Sequence, residues 1–250
     1  MLESLFTPAL LVVAAFFAGG LNAVAGGGTF LTLPALLYAG LPPVAANATG
    51  TVALLPGYAS GAFGFRKDFE RILGLPMIWL GTTSVAGGLI GAALLVVTPD
   101  DAFNAMVPWL LLVATVLFAF GPHIADALHR LGTGGPVALL VSLFVVSVYG
   151  GYFNGGLGII LLAHLSLFGM TRLNTMNGVK NVLSVLLTGI AVIVYAAGGA
   201  VHWREALMMT AAAIIGGYIG ARLSRSLSPD ITRLGIVGIG LIMTAAFFIR

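Results

Sequence analysis

The chain has 250 residues, of which 59% are hydrophobic and only 8% charged. Its net charge is +3 and its mean hydropathy +1.09. A soluble domain carries roughly a quarter charged residues, so this composition excludes a water-covered globule, and eleven scattered basic residues exclude a nucleic-acid footprint. Without cysteine there are no disulfides, thiolate catalysis or Cys-ligated metals.

The opening Met1-Leu2-Glu3-Ser4 lacks a basic n-region, and no small-residue cleavage site follows, so no cleavable leader is expected. Apolar runs long enough to cross a bilayer, roughly 20 residues, recur from end to end. They are continuous, unlike the short alternating segments of a membrane β-barrel. The fold expected is therefore an all-α polytopic membrane protein. In chain order the spans fall at 6–40, 44–65, 73–97, 102–121, 136–170, 174–197, 205–222 and 231–249. As straight helices, 6–40 and 136–170 would each reach roughly 50 Å, against a hydrocarbon core of about 30 Å. Each has a Gly-rich interruption near its middle: "NAVAGGGTFLTLP" (22–34) and "NGGLGIILLAH" (154–164).

The two halves match at an offset of 129–130. Gly26-Gly27-Gly28-Thr29 falls on Gly156-Leu157-Gly158-Ile159, and Asn47 falls on Asn177. Gly87-Gly88-Leu89-Ile90-Gly91-Ala92 falls on Gly216-Gly217-Tyr218-Ile219-Gly220-Ala221, and Thr98-Pro99-Asp100 on Ser228-Pro229-Asp230. The organisation expected is a first membrane repeat over 1–121, a linker over 122–135 and a second repeat over 136–250.

Basic residues gather in cytoplasmic loops, so their placement reports how the long segments run. If 6–40 and 136–170 each cross once, Arg66, Lys67, Arg71, Arg130, Arg204 and Arg250 face Arg172, Arg222, Arg225 and Arg233, which is scarcely asymmetric. If each folds back at its glycines, Arg66, Lys67, Arg71, Arg130, Arg172, Arg222, Arg225 and Arg233 share one side, against Arg204 and Arg250. The second arrangement is preferred. Each repeat is then a re-entrant helical hairpin plus three transmembrane helices. An odd number of crossings inverts the second copy and puts both termini on the non-cytoplasmic side.

Inverted repeats with broken helices describe many secondary transporters, whose substrate binds near the midplane between the copies. A break leaves backbone N–H groups free at the start of a new half-helix, and such an end attracts anions. The expected substrate site therefore draws on Asn22, Gly26, Gly27, Gly28 and Thr29 of the first break and Asn154, Gly156 and Gly158 of the second. Asn177 and Asn181 share a helix face with Lys180 beside them, and Asn47 and Thr51 occupy the positions of the two asparagines in the other copy. Each has a plainer alternative: Lys180 snorkelling to the interface, the asparagines as interhelical glue, single glycines as packing devices. His164 and Arg172 are candidates for a proton relay or gate, against an ordinary helix-bonding histidine and a topology signal. Gly156-Leu157-Gly158 leaves the second turn less open than three glycines do. Trp79, Trp109 and Trp203 are expected as interface anchors.

Every acidic residue falls near a span end or in a loop, and no Ser-His-Asp set or H-E-x-x-H appears, so enzyme chemistry is not expected. Nor is a cofactor or metal.

The stretches "GGLNAVAGGGTFLTLPALLYAGLPPVAANATGTVALLPG" and "GGYFNGGLGIILLAHLSLFGMTRLNTMNGVKNVLS", followed by "GGAVHWREAL" and "GGYIGARLS", resemble the TauE/SafE family of membrane permeases, often called sulfite exporters. The resemblance spans essentially the whole chain. It implies a two-repeat helical permease of the bacterial inner membrane, with small sulfur-containing anions such as sulfite and sulfoacetate as substrates. An anion channel on the same scaffold, or a membrane binding or assembly partner that transports nothing, stands as the alternative. The partners expected are the anion and the bilayer, with self-association left open.

Overall fold

The computed structural model describes residues 2–64, 72, 74–130, 134–223 and 229–249. Arg66, Lys67, Arg71, Arg225 and Arg250 lie outside them, as do the side chains of Arg130, Arg222 and Arg233.

The described chain is all helical: α1 (Leu2–Ala25), α2 (Thr29–Tyr38), α3 (Pro43–Gly64), α4 (Met77–Val97), α5 (Asp100–Arg130), α6 (Gly135–Tyr152), α7 (Leu157–Leu167), α8 (Leu173–Ala197), α9 (Trp203–Leu223) and α10 (Pro229–Ile249). Five of these, α1, α4, α5, α6 and α8, contain stretches long and apolar enough to cross a membrane. Both overlong segments break at their glycines, into α1–α2 and α6–α7. Beyond the apolar span expected at 102–121, α5 continues as helix to Arg130, through most of the expected linker.

The broken segment α1–α2 doubles back. Gly28 lies against the Ala18 carbonyl, and the ten residues of α2 rise about 15 Å from there. That brings Tyr38 beside Phe6, with ring centroids 6.3 Å apart and edge-on. Thr7, Pro8 and Leu11 from the start of the segment then line one cavity with Ala39 and Leu41 from its end. In α6–α7, Leu139 near the start joins one apolar cluster with Leu165 and Phe168 near the end.

Several helix ends meet at one pole. The N–H of Val44, opening α3, donates to Asp100 Oδ1 at 2.9 Å. Gly198 closes α8 beside Val96 of α4, and the N–H of His202, before α9, donates to Thr49 Oγ1 at 3.1 Å. Thus α3 and α9 begin where α4 and α8 end. The start of α1 lies here too, beside Arg204 and Glu205, as does the end of α10, where Phe248 meets Trp109 at 5.0 Å. At the opposite pole, Ile72 and Leu75 cluster with Phe168 and Met170, next to Arg172.

The repeated glycine motif is a packing surface in both halves. Gly87 and Gly91 of α4 advance along Ser147 and Val148 of α6, while Gly216 and Gly220 of α9 advance along Phe16 and Gly20 of α1. Each pairing is parallel and joins a helix of one half to a helix of the other. With no side chain between them, the backbones approach closely, as membrane helices do where small residues line up. Between these pairs α3 lies against α8, with Ala46, Ala48, Val52, Ala191 and Tyr195 in one core cluster.

Candidate functional site

The two helix breaks meet. A Cβ on Gly26 would lie 2.7 Å from the Cα of Gly158, so the breaks touch backbone to backbone. Each reverses through left-handed backbone. In the first the residue is Gly26, at φ 80°. In the second, Asn154 (φ 60°) and Gly156 (φ 69°) both adopt it. Asparagine is the side chain that tolerates this conformation best after glycine. Gly156, the partner of Gly26 in the alignment, thus keeps the left-handed turn, and Asn154 adds a second left-handed residue two positions earlier; Leu157 opens α7 and is buried.

Both breaks leave donors unused. Among the described residues no hydrogen bond takes up the N–H groups of Gly27, Gly28 and Thr29, or those of Gly155, Gly156 and Gly158. They stand at the N-termini of α2 and α7, where the helix dipole adds partial positive charge.

The polar side chains around the breaks converge on two points. The Tyr58 hydroxyl, on α3, donates to Asn154 Oδ1 at 3.4 Å and also lies against the Asn22 amide, so the asparagines of the two breaks share one hydroxyl. Nearby, Asn47 donates through Nδ2 to the Tyr152 carbonyl at 3.0 Å, tying α3 to the second break. The Thr51 hydroxyl instead donates to its own helix, at Asn47 O, 2.8 Å away. Asn22, Asn47 and Asn154 are all buried, and Asn22 Oδ1, Asn47 Oδ1 and Asn154 Nδ2 have no partner.

On α8, Lys180 is 2% exposed, so it does not snorkel to the surface of the bundle. It forms no hydrogen bond or ion pair among the described residues. The α8 face it occupies also carries Asn177, Ser184 and Thr188, and the Ser184 and Thr188 hydroxyls are buried without partners. Asn181 is buried nearby, whereas Asn177 is half-buried. At the offset of 130, Lys180 corresponds to Gly50, where a Cβ would stand 2.9 Å from Thr32 Oγ1. In the first half, then, α2 closes directly onto α3 where the second half has a lysine.

His164 lies in the last turn of α7, buried, with its ring 5.0 Å from that of Phe168 and its Nε2 unpartnered. Arg172 is exposed at the N-cap of α8. The three tryptophans are exposed on the outside of the bundle. Among the described residues no group of three or more His, Asp or Glu is placed to hold a metal ion.

A match over nearly the whole chain accompanies this geometry. Residues 11–247 fit the family profile described as "Sulfite exporter TauE/SafE". The chain belongs to the TauE/SafE family. A "Probable membrane transporter protein ORF9" from a Sinorhizobium species is 31% identical over 238 residues, covering 93% of this chain and 90% of that one. A "Probable membrane transporter protein" from Haemophilus influenzae is 30% identical, covering 95% and 92%. The Escherichia coli K12 "Probable membrane transporter protein YfcA" is 28% identical, covering 94% and 87%. No solved structure gives a significant match.

This TauE/SafE chain is thus an integral multi-pass membrane transporter, and the breaks in its helices are buried where the two halves meet. Four tyrosines there escape a reading for polar motifs. Besides Tyr58 and Tyr152, Tyr149 donates to Gly155 O at 2.6 Å and Tyr195 to Gly151 O, fastening the second break from two sides. Their signal is positional: a tyrosine buried in a membrane helix needs a partner for its hydroxyl.

Proposed function

We propose that this protein is a secondary transporter, and not an enzyme, that carries a small sulfur-containing oxyanion across the bacterial inner membrane. Sulfite, or an organosulfonate such as sulfoacetate, is the substrate class. The two halves are inverted repeats that alternate access to a central site. The observation that carries the reading is the meeting of the two breaks at Gly26 and Gly158, with unused N–H donors on both half-helices. Two positive helix ends from opposite halves then act on one anion.

Inversion is supported by helix direction: α4 ends where its counterpart α9 begins, and α3 begins where its counterpart α8 ends. Orientation follows from charge. The pole at Asp100, Asp101 and Glu205 faces outward with both termini, and the pole at Arg172 faces the cytoplasm with the other basic loops. Asn22, Asn47 and Asn154 with Gly26 to Thr29, Gly156 and Gly158 form the anion site. Lys180 supplies the charge on the route to it, with Asn177, Asn181 and Thr51 as further polar residues of the path. His164, beside Phe168 near the cytoplasmic end of α7, relays a proton, and Arg172 at the mouth gathers anions.

Labelled-sulfite counterflow in proteoliposomes tests this, with sulfoacetate, thiosulfate or sulfate trapped inside. Saturable uptake driven by one internal anion is the expected result. Flux that never saturates and needs no internal anion would make the protein a channel instead. No flux from folded protein would remove transport of these anions altogether.

A further inference from the structure

Carbonyl oxygens do not belong in a plain anion site, because their lone pairs repel a negative ligand. The region of the breaks nevertheless holds them. Asn47 donates through Nδ2 to the Tyr152 carbonyl, and a carbonyl only accepts, so this amide has one orientation. Its Oδ1 is left buried and unpartnered.

A second oxygen follows from Tyr58. Its hydroxyl lies between Asn22 and Asn154 and has a single proton to give. When it donates to one amide, it can accept only from the other. Whichever way the two amides are turned, the chain of three leaves one amide oxygen and one amide N–H free. In the arrangement found, these are Asn22 Oδ1 and Asn154 Nδ2. Buried carbonyls without a donor are rare and costly, and two amide oxygens of this kind flank breaks whose N–H groups are also unused among the described residues.

We infer that the solute bound between the breaks carries a hydrogen-bond donor of its own as well as its negative charge: an acid O–H, as in hydrogensulfite, or a hydroxyl on an organosulfonate. The anionic oxygens take the free backbone N–H groups and Asn154 Nδ2, and the donor satisfies Asn22 Oδ1 or Asn47 Oδ1. An anion with no such donor sets lone pairs against these oxygens and is disfavoured. This rests on the anion-transport reading and narrows its substrate class.

The test is competition against labelled-sulfite exchange in proteoliposomes of the full chain, using 2-hydroxyethanesulfonate and ethanesulfonate. The two have the same charge and differ by one hydroxyl. The hydroxylated compound is expected to compete about tenfold more strongly, since a site with buried polar groups penalises a ligand that leaves them unpaired. In Asn22→Leu, and separately in Asn47→Leu, sulfite exchange is expected to fall, and the two sulfonates to approach equal potency against the exchange that remains. Tyr58→Phe frees both shared amides to turn, and it is expected to narrow the ratio even if a leucine variant fails to fold. A purely structural role lowers exchange of every anion alike and leaves the ratio unchanged, which would overturn the inference. Equal competition in the unaltered protein overturns it alone. Absence of all exchange from folded protein overturns the transport reading and this one with it.

Discussion

Lys180 combines burial with the lack of any partner among the described residues. A buried cation that nothing balances destabilises the fold around it, and in a membrane it marks function by default. Replacing it should therefore leave the empty protein no less stable. Lys180→Ala is expected to melt at or above the unaltered protein's temperature in detergent, and to lose the stabilisation that added sulfite gives. A ligand-induced shift of unchanged size would remove Lys180 from the anion's path. Tyr149 is the opposite case, since its hydroxyl has one well-formed bond, to Gly155 O. Tyr149→Phe is expected to cost about 1 kcal/mol, seen as a lower melting midpoint with the helix content retained. Such tyrosines were illegible in the sequence. Within an apolar run a tyrosine looks like any other aromatic until the carbonyl it reaches is known: Tyr149 reaches Gly155 only because the chain turns at the break, and Tyr195 reaches Gly151 only because α8 packs there.

At the scale of helices, the glycines divide into those that let two backbones touch and those that do not. A Cβ on Gly216 would fall 1.8 Å from Phe16 O, and one on Gly91 would fall 2.1 Å from Val148 O. Gly216→Ala or Gly91→Ala must push parallel helices apart and is expected to cost about 1–3 kcal/mol. Gly189, on α8, would meet nothing within 4 Å. There alanine removes only the entropic penalty of glycine in a helix, so Gly189→Ala is expected to stabilise by about 0.5–1 kcal/mol. Thermal unfolding of the three variants side by side checks both signs. The existence of these elements was plain from apolar length, and the breaks from glycine clustering. The full turn in the second break was not, because Asn154 joins Gly156 in the left-handed region and glycine spacing alone does not mark an asparagine. The extension of α5 through Gly121 and Pro122 was hidden for a similar reason: both residues ordinarily punctuate a helix.

For the whole molecule, the two poles differ in charge. Asp100 and Asp101 are exposed at one and Arg172 at the other. The proposed orientation makes a direct prediction, and a chain without cysteine suits it. In right-side-out spheroplasts, Asp101→Cys is expected to react with an impermeant maleimide, while Thr171→Cys reacts only after permeabilisation. The reverse pattern would invert the proposed topology and the direction from which each break is reached.

Composition and periodicity alone determined that this chain lives in a membrane, that it is helical, and that two of its segments must break. These properties follow from local physics: the cost of exposing apolar surface or unpaired backbone, and the length of a helix against the thickness of a bilayer. The proposed duplication rests on aligned glycines. Only the tertiary structure decided which groups face one another. It joined Gly26 to Gly158, put one tyrosine hydroxyl between Asn22 and Asn154, tied Asn47 to Tyr152, and buried Lys180 away from any partner among the described residues. The reason is that a hydrogen bond between residues roughly a hundred positions apart depends on helix packing angle and depth. No single segment encodes either.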